Sequence, residues 1–546
     1  MAINILIGIG GTGAKIVESA LYLLAAGVGP KDMVHVCLID QDNANGNVQR
    51  TEALLKLICH IQDELTNGQN KLDFKNANEA ERTALFSIPL RPLLDDGQRA
   101  HWRPAPEDLP DLRAILQRSA ATPAQQGLID LLFRPVGVDE HESEQDLNLA
   151  EGYRGRAHVG SAALLSALHH DSPEFLKVMT ERMRNGSAEG DEGVRIMLVG
   201  SLFGGTGAAG FPTIARSLHN MRSNANEKSA GKKINGKNIS LGGVLMLPYF
   251  TFNDPEHQAN VITTPQLLPQ ARVALDYYDR LLEEENVFDH LYISGWDQMI
   301  PLNYHEPGRM AQRNPAMLPE LLAALAVQEF FTAPKVEPKP RPMMAARREN
   351  TAFGWTDLPI DPDKRQPVID RIAQALRFAY IWRFSIDPDL KRGPTTGMFK
   401  RTPEFKSEII HTHVKTTAWD AKAQALTQDV QEFCKGMLNW AANLRLYSRI
   451  DNLNLWNMGP VVAQTDLTRP QEAVTLHDTR GDGTRDADLE TLVSPTSAQK
   501  PANGAAVYTA LTAATKHGES NGLGRLIAAA YRAARLHHTA ETSNVQ

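Results

Sequence analysis

The chain has 546 residues, more than one hydrophobic core usually supports, so two or three domains are expected. Hydrophobic residues make up 42% and charged residues 22%, the balance of an ordinary folded protein. Sixty-four acidic residues against 57 Lys and Arg leave a formal charge of −7, which speaks against a sequence-independent nucleic-acid binder.

Residues 3–7 form a mostly apolar run, as expected for a strand buried on both faces of a parallel sheet. GIGGTG follows, then a helix over 14–26 with Ile16, Val17, Ala20, Leu21 and Leu24 at helical spacing. Gly27 and Gly29 end that helix and residues 34–39 form the next buried strand, a βαβ opening that predicts an α/β domain. A helix over 51–65 is followed by the Pro- and charge-rich stretches RPLLDDGQRAHWRPAPEDLP and FRPVGVDEHESEQD, read as an irregular insertion over about 66–150.

From Val194 the buried-strand rhythm returns as VRIMLVG, then SLFGGTGAAG, then a helix over 212–221. A polar linker leads to the strand ISLGGVLML, the helix QARVALDYYDRLLEEE and the strand DHLYISG. A long apolar helix over 314–331 ends at TAP, and the prolines and basic residues of 335–365 mark a linker or displaced loop. Beyond it, helices over 367–384, 418–446, 505–516 and 523–537 predict a mainly helical C-terminal domain, 366–546.

Cys37, Cys59 and Cys434 stand far apart with no CxxC pair, so a reducing compartment fits, and Cys37, in VHVCLID, reads as a buried structural thiol. The opening MAINILIGIGG has no basic n-region, and no uninterrupted apolar stretch reaches transmembrane length. A cytoplasmic protein without membrane insertion is the expectation.

The two glycine-rich turns carry the functional signal. Each follows a buried strand and opens a helix, which aims backbone N–H groups and the positive helix end at one place, an arrangement suited to phosphate. One such turn also arises from close helix–strand packing; two, about 195 residues apart in one α/β domain, are harder to explain that way.

SLFGGTGAAGFPTIARSL resembles the signature loop of tubulin and its bacterial homologue FtsZ, whose glycine run wraps the nucleotide phosphates. ISLGGVLMLPYFTF, QARVALDYYDRL and FDHLYISGWD resemble the strand, helix and strand that follow in that superfamily. GIGGTGAKI resembles its first phosphate loop, LIDQDNAN its metal-side loop, and GYRGRAHVGSAAL its loop beside the γ-phosphate. NPAMLPELLAALAVQEFFTAP resembles its core helix, so the likeness covers about residues 1–334 in the family's order.

The resemblance implies a tubulin-like, Rossmann-type parallel-sheet domain that binds GTP or GDP with Mg2+. It places Gly10, Gly11, Thr12, Gly13, Asp40, Asp42, Arg154, Gly155, Arg156, Gly204, Gly205, Thr206 and Gly207 around the nucleotide. Asp297, Asn303 and Asn314 are the candidates for the base, and Asp42 is the candidate metal-side ligand, through water. For Asp42, capping of a turn is an equal reading, and for Arg154 and Arg156 surface ion pairs are the slightly favoured one.

Phe203 and Ala209 stand where the signature has glycine, and the acidic loop that catalyses hydrolysis on the neighbouring subunit is replaced by KVEPKPRPMM. Glu337 and Asp357 are the remaining catalytic candidates, so slow or absent GTP hydrolysis is expected. The expected partners are further copies of the chain, head to tail, or other protein subunits on the C-terminal helical region. A non-catalytic nucleotide-bound scaffold is the alternative of another class. An adenylating enzyme of the ubiquitin-activating kind would use only GIGGTG, with Asn47 and Arg50 out of register, and a dinucleotide dehydrogenase would use Asp40 for a ribose.

Overall fold

Apolar runs without polar alternation call for a sheet covered on both faces, and the computed structural model contains one. It describes residues 2–42, 44–74, 84–105, 108–135, 143–169, 173–188, 192–223, 234–252, 264–280, 285–296, 298–302, 313–333, 342–344, 352–392, 421–450, 452–469, 472–478, 492–493, 499–500, 520–535 and 537–538.

In chain order the strands are β1 (Ile3–Ile9), β2 (Val34–Ile39), β3 (Leu90–Pro92), β4 (His101–Trp102), β5 (Val194–Ser201), β6 (Ile239–Met246), β7 (Phe250–Phe252), β8 (His290–Ser294), β9 (Ile300–Leu302) and β10 (Pro342–Met344). Eight of them form one sheet in the order β10-β8-β6-β5-β1-β2-β3, with β4 also paired to β2. Every pairing in it is parallel. The chain leaves β1 toward β2, β3 and β4, then crosses to the other flank of β1 with β5 and continues outward. The order therefore reverses between β1 and β5, the place where open α/β sheets leave a crevice at their carboxyl ends.

The helices that matter for the site are α1 (Gly10–Ala25), α2 (Gly46–Thr66), α3 (Leu112–Ile115), α4 (Pro123–Leu132), α5 (Ala157–His169), α6 (Glu174–Gly186), α7 (Thr206–Ser223), α8 (Thr264–Arg280), α9 (Leu318–Thr332) and α10 (Pro362–Ile381). Alternate residues of β1 serve opposite layers: Leu6 joins the core of α1, α2 and α9, whereas Ile5, Ile7 and Ile9 join that of α5, α6 and α7. The insertion supplies α3, α4 and the edge strands β3 and β4, which are too short to show a strand period in sequence.

The C-terminal helices share the first of these cores. Trp440, on the helix Ala421–Leu446, donates from Nε1 to Ser19 Oγ of α1 at 3.0 Å, and its ring lies 5.2 Å from Tyr22. Gly436 permits the approach, since a Cβ there would lie 2.6 Å from the Tyr22 hydroxyl. Helix follows at 362–381 and 522–533, with short strands between, while the expected helix over 505–516 lies outside the described residues. Among the described residues no helix is long and apolar enough to cross a membrane.

Several helices start elsewhere than expected, α2 at Gly46, α8 at Thr264 and α10 at Pro362 among them, and three of the shifts bear on the site. α1 begins at Gly10 and α7 at Thr206, inside the glycine runs. Pro212 is interior to α7, where it removes one hydrogen bond without ending the helix. α9 begins at Leu318 rather than at 314, because Pro315 disfavours helical backbone at Asn314 and Glu320 caps Met317 through its backbone N–H at 2.9 Å.

Candidate functional site

α1 and α7 start directly beyond the carboxyl ends of β1 and β5. Ile9, the N-cap of α1, has no side-chain hydrogen bond to offer, and neither helix has an acidic residue in its first turn. Their first-turn N–H groups have no intrahelical partner, so both helices turn donors and positive dipole ends to the same cleft. α2 also starts there, but Asn45 caps it, accepting from the Asn47 N–H at 3.0 Å.

Of the residues singled out in sequence, Gly11, Thr12, Asp40, Asp42, Arg154, Gly155, Gly204, Gly205, Thr206, Gly207 and Asn314 line this cleft. Gly10 and Gly13 pack behind it: a Cβ would lie 2.9 Å from the Gly207 nitrogen in the first case and 2.6 Å from the Val199 oxygen in the second. Gly10 also has φ 73°, a conformation that favours glycine. Gly205 is pressed against Tyr153, 2.9 Å from a would-be Cβ, whereas Gly204 has φ 84° and open space beside it. Several glycines thus serve loop-on-loop packing, and Gly11 and Gly204 leave room in the cleft itself. Phe203, beside Gly204, packs its ring 5.4 Å from that of Phe250.

Asp40 ties the two loops together. Its Oδ1 accepts from Thr206 Oγ1 at 2.9 Å and from the Asp42 N–H at 3.2 Å, and its Oδ2 accepts from Asn45 Nδ2 at 3.0 Å. Burial nevertheless dominates and pushes its pKa up to about 6. Asp42 Oδ1 accepts from the Ala44 N–H at 2.9 Å, the turn-capping reading. Asp40, Asp42 and Glu151 are the carboxylates in the cleft lining, and one of them completed by water and phosphate could hold a small hard cation such as Mg2+.

The segment before α5 curls under the cleft with positive φ at Gly152, Arg154 and Gly155. Arg154 lines the cleft and pairs with Glu151. Arg156 is not in the cleft lining; it lies 3.6 Å from Glu144 in an adjoining groove between α5, α7 and α8, whose lining shares Arg154 and Gly155 with the cleft. Asp357 lies away from the cleft lining, where its carboxylate accepts from the Gly354 N–H at 2.7 Å. Asp297, Asn303 and Glu337 lie outside the described residues.

Asn314 enters through its backbone: its N–H donates to Asn47 Oδ1 at 2.8 Å and its carbonyl accepts from Arg50 at 2.9 Å. Arg50 also donates to Glu18 at 2.6 Å, so it braces α1, α2 and the approach to α9.

Sequence reasoning missed Lys15, Asn45, Asn47 and Tyr153. The asparagines were legible in DNANGN, since Asn is a preferred helix cap. Lys15 lies five residues after the helix start, and helical side chains lean toward the N-terminus, so its place was inferable once α1 was known to begin at Gly10. Lys15 is 1% exposed and forms an ion pair with the fully buried Glu320 of α9. Tyr249 donates to the same Glu320 oxygen at 2.6 Å and also contacts the Thr12 hydroxyl. Burial lowers the Lys15 pKa and raises that of Glu320, while their mutual attraction opposes both shifts.

The cleft encloses about 130 Å3. Pockets for whole small molecules run to roughly 300–1,000 Å3, so this volume suits a phosphate chain rather than an entire nucleotide. Among the described residues no three His, Cys, Asp or Glu side chains gather to hold a metal without such help. Comparison with known protein families, with curated proteins and with solved structures finds no match.

Proposed function

We propose that the chain is a tubulin-like, GTP-binding protein that holds the nucleotide phosphates between the first turns of α1 and α7. The observation that carries this reading is the convergence of two helix N-termini without acidic residues on one cleft at the β1/β5 switch point. Mg2+ would be held through Asp42 and the phosphates. Assembly is head to tail, with slow or absent hydrolysis; the C-terminal helices are the alternative docking surface for other subunits.

Two rivals fit less well. A dinucleotide site needs the acid at the end of β2 to face a ribose, but Asp40 is occupied by Thr206, Asn45 and the Asp42 N–H. An adenylating enzyme leaves the α7 start unexplained, and Arg50 is engaged by Glu18 and Asn314.

The test is the nucleotide that co-purifies with the full chain, followed by calorimetry with Mg–GTP, Mg–ATP and NAD. GTP or GDP is the expected ligand; binding of ATP or NAD alone would sink the assignment. Sedimentation with GTP over a concentration series reads assembly, and a strict monomer throughout favours the scaffold without filament formation.

A further inference from the structure

Lys15 sits in the wall of the cleft, one and a half turns into a helix whose N-terminus opens on that cleft. Its ammonium carries three donors, and Glu320 is the partner it has among the described residues. The Tyr249 ring centroid stands 5.8 Å from Nζ. A buried cation with donors to spare, beside a cleft on which two helix starts open without acidic residues, points to an anionic ligand.

Glu320 is built to let the cation go. It accepts from Tyr249 at 2.6 Å and from the Met317 N–H at 2.9 Å, so it stays hydrogen-bonded without Lys15. A lysine on its four-carbon stem changes partner by rotamer alone.

We propose that Lys15 is a phosphate-binding residue, held by Glu320 in the free protein and turned to the phosphate chain of the nucleotide on binding. The proposal rests on the reading of the cleft as a nucleotide site. The exchange removes an ionic tie between α1 and α9, so the loaded and free states differ in how the first helix is fastened to the core helix.

The test is calorimetry of Mg–GTP binding to the full chain carrying Lys15→Met, Glu320→Gln, or both, with thermal unfolding measured alongside. Lys15→Met should weaken binding by about 10- to 100-fold, the worth of a hydrogen bond to a charged group. Glu320→Gln should tighten it by about three- to tenfold, because the competitor for the ammonium loses its charge. The double variant removes both buried charges, a change that folds tolerate, and compared with Glu320→Gln alone it reads the contribution of Lys15 even if Lys15→Met unfolds. In that background the tightening should vanish and the loss remain. If both single variants weaken binding in step with a lower Tm, the pair is only a clamp and the proposal fails. If neither changes the affinity, it fails as well. A wild-type chain that binds no Mg–GTP overturns the nucleotide reading itself, and the proposal with it.

Discussion

Thr206 Oγ1 donates to Asp40 Oδ1 across 2.9 Å, and through this bond the start of α7 is tied to the end of β2 over the top of β1. The two residues are separated by 166 positions in the chain and by one strand in the sheet. One buried carboxylate therefore sets the spacing of the loops that form the cleft.

That carboxylate makes stability depend on pH. Its folded pKa, about 6, lies above the ordinary 3.8 because burial outweighs its hydrogen bonds. Its contribution is fully present below the unfolded value and is lost as pH rises through about 6, a loss on the order of 3 kcal/mol. Asp40→Asn removes the titration, so the difference in unfolding free energy between variant and wild type should move in the variant's favour between pH 4 and 7. Urea unfolding across that range measures it; a parallel pair of profiles would mean Asp40 is solvated.

The glycines separate packing from binding. Gly205→Val collides with Tyr153 and should lose about 1–3 kcal/mol or more of stability. Gly204→Ala meets no neighbour and should lose only about 1–2 kcal/mol, for its left-handed backbone. Gly11→Ala places a methyl 3.0 Å from Asn45 Nδ2 at the cleft, so it should keep the fold and weaken Mg–GTP binding. Unfolding curves with calorimetry check all three, and equal binding by Gly11→Ala would move the phosphates elsewhere.

Phosphate release by the isolated chain should stay near background. Loss of a positioned general base costs roughly 10²- to 10⁴-fold in rate, and Asp357 is occupied in capping its own turn. Asp357→Ala should leave turnover unchanged. Brisk turnover that this substitution abolishes would place Asp357 in a neighbouring subunit's site.

Gly436→Val tests how closely the C-terminal helices are joined to α1. Even a Cβ there comes within 2.6 Å of the Tyr22 hydroxyl, so either the Tyr22 side chain or the helix Ala421–Leu446 must shift. A loss of about 1–3 kcal/mol in a single cooperative transition is expected. A separate low-temperature transition of the C-terminal region alone would show that it folds apart from α1.

Sequence alone determined the parallel sheet and the two glycine junctions. Buried strands such as VHVCLID declare themselves by unbroken apolarity, and strand–glycine–helix order is local. It did not determine where α1 and α7 begin, because glycine starts no helix by propensity; tertiary packing of Gly10 on Gly207 and of Gly205 on Tyr153 does. Nor did it separate Arg154, which lines both the cleft and the adjoining groove, from Arg156, two residues on, which lines the groove alone. Lys15 facing Glu320, and Asp40 facing Thr206, are partners hundreds of residues apart or nearly so. Only the order of strands in the sheet brings them together, and a single sequence carries no local periodicity from which such long-range pairing can be read.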